Sequence, residues 1–237
     1  MNIRGLDKFS LIDYPGGIAA IIFTANCNFR CPYCHNPHLV LESSAQPRIA
    51  EKTVLSFLDS RVGKIDAVVI SGGEPTLQKN LPIFLAKVKE RGFHVKLDSN
   101  GSRLEKLKEL FDSGLLDSVA LDYKAPRRKY DQVAASKDSD IGDKVAESVR
   151  ICVEADKLIE LRTTVHKRFL SYEDLTEMRD ELNELGAKLW VLQQFHRADM
   201  INQSLEDEET YSDAELANFA RSIPNTRARG VKGIFFE

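Results

Sequence analysis

Apolar residues along this chain follow two alternating rhythms. Short continuous apolar runs bounded by turn residues predict buried strands at Gly17–Thr24, Asp66–Ile70, His94–Leu97, Ser118–Leu121, Ile159–Val165 and Leu189–Leu192. Between them, apolar positions return every three or four residues. That spacing predicts amphipathic helices around Ala50–Asp59, Leu81–Arg91, Arg103–Ser113, Gly142–Ala155 and Tyr172–Leu185. A strand–helix repeat of this kind predicts an α/β fold with a parallel sheet and helices outside it. Six units are fewer than the eight of a complete barrel, so the expected architecture is an open partial barrel. A doubly wound open sheet is the alternative. The acidic stretch Asn202–Tyr211 reads as a surface loop leading to a last helix near Asp213–Ser222.

Polar chemistry gathers just after the strands. Three cysteines, Cys27, Cys31 and Cys34, follow the first, and Ser71-Gly72-Gly73-Glu74-Pro75-Thr76 follows the second. Asp98-Ser99-Asn100-Gly101 comes after the third and Asp122-Tyr123-Lys124 after the fourth, while Arg162 lies in the fifth and His196 beyond the sixth. Parallel α/β folds collect the carboxyl ends of their strands on one face, where active sites sit. Three thiolates within eight residues, with no fourth nearby, suit a metal centre left open at one position. Zinc closed by His35 or His38 is the other reading of the same cysteines. Cys152 falls in a helix far along the chain and reads as a buried, inert thiol.

The chain has 237 residues, of which 43% are hydrophobic, enough for one α/β domain of barrel size, taken as residues 1–237 with a short extension 1–16 and a C-terminal helix and tail 202–237. Thirty-three Lys and Arg against 36 Asp and Glu leave a net charge of −3, which gives no whole-chain basicity for nucleic acid. Four cysteines do not make a secreted disulfide framework, the first residues lack the apolar core of a signal peptide, and no apolar stretch has the length of a membrane span. A cytoplasmic protein with no membrane partner is expected. The basic run Lys124–Tyr130 reads either as a solvated loop or as a dock for an acidic partner surface.

With the cysteine run Cys27-x3-Cys31-x2-Cys34, Tyr33 before the last cysteine, and Gly72-Gly73-Glu74-Pro75, the chain resembles the radical S-adenosylmethionine superfamily almost throughout. Ser10-Leu11-Ile12-Asp13-Tyr14-Pro15-Gly16 and Cys34-His35-Asn36-Pro37 resemble the glycyl-radical-enzyme activases, above all those of anaerobic ribonucleoside-triphosphate reductase. The resemblance implies a partial TIM-like β/α barrel and a 4Fe–4S cluster on the three cysteines. It also implies reductive cleavage of S-adenosylmethionine to a 5′-deoxyadenosyl radical, which takes hydrogen from a glycine Cα of a partner enzyme. Further, it implies that the Gly72-Gly73 backbone and Glu74 receive the methionine ammonium, and that Asp98, Ser99 and Asp122 lie beside the cofactor carboxylate with a monovalent cation. Lys124 and Arg162 would stand near the cofactor, Tyr33 and His196 near its adenine, and a flavodoxin or ferredoxin would donate the electron. A pyruvate formate-lyase activase, a small-molecule radical enzyme, and a non-catalytic zinc-binding interaction module are the rival readings.

Overall fold

Every apolar run read from the sequence is a strand, with limits shifted by a few residues. The computed structural model describes residues 1–42 and 44–232, and its contacts divide the chain into two units: 1–28 with 36–120, and 29–35 with the chain from 121 onward.

In the first unit β1 (Ile3–Ser10) lies antiparallel to β2 (Ala19–Thr24). Then come the one-turn helix α1 (Pro37–Val40), α2 (Glu51–Asp59), β3 (Ala67–Gly72), α3 (Leu81–Lys89), β4 (His94–Ser99) and α4 (Leu104–Asp112). β3 runs parallel to β2 with Ile70 opposite Ile22, and β4 runs parallel to β3 with Lys96 opposite Val69. Strands covered on both faces read as continuous apolar runs rather than alternating ones. Ile22, Val68, Ile70 and Leu97 are accordingly buried, and α3 buries Leu81, Phe84, Leu85 and Val88. Each such side chain stabilises the fold by about 1.5–3 kcal/mol relative to exposure.

Strand β5 (Ser118–Asp122) carries the chain out of the first unit. The second continues with α5 (Tyr130–Ala134), α6 (Ile141–Glu154), β6 (Leu158–Val165), α7 (Tyr172–Glu184), β7 (Trp190–Gln194), α8 (Asp213–Ser222) and β8 (Thr226–Arg229). β7 is parallel to both β6 and β8. Helices α7 and α8 each begin in a capping box, Ser171 with Asp174 and Ser212 with Glu215, which satisfies backbone donors left over at a helix start. Trp190, the only tryptophan, is fully buried and its indole N–H donates to Thr163 Oγ1 at 2.8 Å. The Thr163 hydroxyl in turn donates to the Tyr123 carbonyl.

The described residues hold eight strands where six were expected. β1 escaped notice because only its ends are buried and its middle carries Asp7 and Lys8; β8 did because, of Thr226-Arg227-Ala228-Arg229, only Ala228 is buried. Both take their strand character from ladder bonds to an apolar neighbour. The acidic stretch 202–211 contains a 3₁₀ turn at Gln203–Glu206, and beyond it Glu208 and Glu209 pair with Arg168 and Lys167. Of the tail placed at 202–237, residues 233–237 lie outside the described residues. Among the described residues no helix is long and apolar enough to cross a membrane.

Candidate active site

In the first unit the site is built where β3 ends. Gly72 has φ +120°, and a Cβ on it would stand 2.3 Å from the Thr24 nitrogen; one on Gly73 would stand 2.0 Å from the Asn26 oxygen. The N–H of Gly73 donates to Thr24 O at 2.8 Å, and that of Glu74 to Asn26 O at 2.7 Å. Only glycine admits this approach. The two glycines therefore let the strand end close onto the stretch that leads into Cys27.

Glu74 is fully buried and its carboxylate is turned onto its own chain. Oε1 accepts from the Thr76 N–H at 3.0 Å, the Thr76 hydroxyl at 2.5 Å and the Ser99 hydroxyl at 2.9 Å, while Oε2 accepts from the Asn100 N–H at 2.7 Å. Burial raises the Glu74 carboxyl above its ordinary range, opposed by hydrogen bonds from Asn100, Thr76 and Ser99. Its oxygens already hold four donors, which fix the shape of this loop. Ser99 is likewise engaged, giving its hydroxyl hydrogen to Glu74 and accepting from the Gly101 N–H at 3.1 Å.

Beside Asp98 stands Lys96, two residues earlier on β4 and hence on the same face of the strand. Its Nζ lies 2.8 Å from Asp98 Oδ1, and both side chains are buried. Lys96 thus sets a positive charge of the chain itself beside Asp98. Asn100 completes this side. Its Oδ1 accepts from the Ser102 N–H at 3.0 Å, and its Nδ2 reaches Asn28 Oδ1 at 3.1 Å and Cys27 Sγ at 3.7 Å.

The second unit holds Cys31, Tyr33, Cys34, Asp122, Lys124, Arg162 and His196. Cys31 is buried, and its thiol donates to the Ala134 carbonyl at 3.6 Å. Burial pushes that thiol up to about 11, with nearby Lys124 pulling the other way. The ring of Tyr33 is buried too, 5.5 Å from that of Phe169 and tilted to it. Lys124 Nζ lies 3.0 Å from Asp122 Oδ2 and Arg162 Nε lies 3.1 Å from Asp122 Oδ1. Burial would raise the Asp122 carboxyl, but Lys124 and Arg162 outweigh it and hold the group below the usual carboxylate range. The row continues through Arg162 and Glu160 at 3.8 Å to Arg229, which takes Glu160 in a two-pronged contact at 3.1 and 2.5 Å. His196 is exposed and shares a polar cavity with His35, Thr164, Gln194, Arg229 and Gly230; the His35 Nε2 and the His196 carbonyl oxygen are 3.0 Å apart.

The basic run, read either as a solvated loop or as a dock, pairs with acids of its own unit. Arg128 contacts Asp174 and Glu177, Lys129 contacts Asp174, and the Arg127 N–H donates to Glu181, all on α7. Its charges are largely neutralised within the second unit.

All four cysteines are free thiols. Cys152 is buried in α6, as its helical position implied. Among the described residues no three His, Cys, Asp or Glu side chains already converge as a metal site. The donor set nonetheless fits an iron–sulfur centre: three unoxidised thiols in eight residues, one of them receiving an amide N–H as cluster sulfurs commonly do. Sequence reasoning missed Lys96, Asn100, Glu160 and Arg229. Lys96 was signalled by its same-face spacing from Asp98, and Asn100 by its place in a strand-end run. Nothing local marked the pairing of Glu160 with Arg229, which lie 69 residues apart.

A site of glycines, acids and cysteines at strand ends defines a class, and residues 21–182 match the Radical SAM superfamily. The chain belongs to that superfamily and is an enzyme of its kind, one that uses a 4Fe–4S cluster and S-adenosylmethionine. Over 240 residues it is 32% identical to a protein of Methanocaldococcus jannaschii assigned by name to the glycyl-radical enzyme activating enzymes, covering 98% of both chains. It is 27% identical over 212 residues to the pyruvate formate-lyase-activating enzyme of Streptococcus mutans, covering 84% of this chain and 76% of that one. Among solved structures it is similar to SuiB of Streptococcus suis, with a TM-score of 0.68, 15% identity, and coverage of 92% of this chain and 53% of that one. This last likeness shows the fold alone: the α/β fold of radical SAM enzymes.

Proposed function

We propose that this enzyme activates an anaerobic ribonucleoside-triphosphate reductase by generating a radical on a glycine of its backbone. The observation that carries an activase reading is the likeness to the M. jannaschii protein along 98% of both chains. The reductase as partner is supported by the runs Ser10–Gly16 and Cys34–Pro37. Cys27, Cys31 and Cys34 would hold the cluster, in one radical SAM core spanning 1–237. When bound, the cluster would supply one electron to S-adenosylmethionine, and the chemistry so provided would be release of methionine and of a 5′-deoxyadenosyl radical able to take a hydrogen atom from the glycine Cα.

The chain's own residues bind and orient. Backbone groups of Gly72 and Gly73 receive the methionine ammonium, on a loop that Glu74 fixes from behind. Asp98 and Ser99, and separately the row Lys124–Asp122–Arg162, offer groups of both signs to a cofactor that itself carries both. Tyr33, through its backbone, and His196 face the adenine. A flavodoxin or ferredoxin of the cytoplasm is the electron donor. The second reading, activation of pyruvate formate-lyase, is favoured by the S. mutans relative.

The test is anoxic reconstitution with iron and sulfide, then dithionite and S-adenosylmethionine with each candidate partner. The expected result is 5′-deoxyadenosine together with a glycyl doublet in electron paramagnetic resonance on the reductase. A doublet only on pyruvate formate-lyase would move the reading to the second partner. Zinc without iron or sulfide, in protein purified anoxically, would replace it with a zinc-binding module.

A further inference from the structure

Asn100 is buried, and both ends of its side chain are assigned by their partners. The Ser102 N–H needs an acceptor and finds Oδ1 at 3.0 Å, so Nδ2 is the end that faces Asn28 Oδ1 at 3.1 Å and Cys27 Sγ at 3.7 Å. A further bond closes the ring, from Asn28 Nδ2 to Ser102 Oγ at 2.9 Å. The backbone of Asn100 is held as firmly, because its N–H donates to the buried carboxylate of Glu74, which also takes the neighbouring Ser99 hydroxyl. Neither end of this amide is left to rotate. Its N–H is aimed at the sulfur by three named partners, Ser102, Asn28 and Glu74.

We infer that Asn100 is a positioning residue that sets the reduction potential of the centre held by Cys27, with Glu74 fixing it in place. The inference rests on the reading of Cys27 as a cluster ligand. A hydrogen bond donated to a ligating sulfur favours the more negatively charged, reduced state and so raises the potential. A cluster that must pass an electron to a sulfonium needs a low potential, yet one that a biological donor can still reach. One amide N–H on one of three sulfurs is an adjustment of that scale. A turn-forming Asn before glycine explains the backbone here but not a side chain tied at both ends.

The experiment is a redox titration of reconstituted wild type, Asn100→Ala and Asn100→Asp, followed by electron paramagnetic resonance, with iron and sulfide content measured on each. Both variants are expected to keep wild-type iron and sulfide and to titrate at a more negative potential. The shift for Asn100→Ala should be about tenfold in the reduction equilibrium, about 59 mV for one electron. Asn100→Asp keeps the acceptor for Ser102 and adds a negative charge, so its shift should be larger. Resonance Raman should show an iron–cysteine stretch moved to higher frequency in both. Should Asn100→Ala fail to take up iron, Asn100→Asp decides. Full clusters with unmoved potentials would overturn the inference alone, as would loss of the cluster in both variants. Wild type that takes up no iron and sulfide would overturn the proposed function and this inference with it.

Discussion

Lys96 Nζ and Asp98 Oδ1 stand 2.8 Å apart on one face of β4, an ammonium and a carboxylate each almost wholly removed from water. Breaking a buried pair from one side strands a charge, at a cost of about 3–5 kcal/mol, whereas replacing both partners with apolar groups is often near neutral. Lys96→Met should therefore lower unfolding free energy by that amount in denaturant titration, and Lys96→Met with Asp98→Leu should recover most of it. Equal losses in the single and double variants would show that the pair contributes nothing as a pair.

Gly73 gives a sharper steric expectation. Its missing Cβ would lie 2.0 Å from the Asn26 carbonyl oxygen, so Gly73→Ala must push apart the strand end and the segment before Cys27. A destabilisation of about 1–3 kcal/mol is expected from overpacking, together with reduced iron uptake on reconstitution. At Gly114, with φ +64° and open space around it, the Ala variant should cost only about 1–2 kcal/mol of backbone strain and leave iron uptake intact.

Asp117 supplies a pH dependence. Lys89 Nζ sits 2.8 and 2.7 Å from its two oxygens and the Val95 N–H donates to it at 2.7 Å. Burial works to raise its carboxyl, but these partners prevail and hold it below the usual value. Unfolded, it titrates near 3.9. The stabilisation is thus complete above about pH 4 and is lost as pH falls through the folded value. Asp117→Asn should cost about 1 kcal/mol at neutral pH, discounted for partial exposure, and should flatten the acid side of a stability–pH curve.

Cys152 should be silent. Burial pushes its thiol up to about 12, and it touches no water. At pH 8 iodoacetamide should leave it unlabelled in folded protein and modify it only in denaturant, read by mass spectrometry. Cys152→Ala should keep the wild-type iron content.

Much of the fold was legible because parallel strands covered on both faces carry unbroken apolar runs, as in Ala67–Ile70. What was not legible depended on partners distant in sequence. β8 is four residues with two arginines, and only its ladder to β7 makes it a strand. In the site, Cys27, Gly72, Gly73 and Asp98 announced themselves by type and spacing. The orientation of Glu74 did not: nothing local shows that Ser99 and Asn100, 25 and 26 residues on, donate to its oxygens. Likewise nothing local in the basic run marked its pairing with α7's acids, 45 to 49 residues later.

The lone tryptophan makes the second unit an optical gauge. Trp190 emits from a dry site with its N–H on Thr163, so its fluorescence follows the packing of β6 and β7, while the first unit has no tryptophan to contribute. Monitored against far-ultraviolet dichroism, which sees helices and strands of both units, that emission will tell whether the two halves of the chain melt together or in turn.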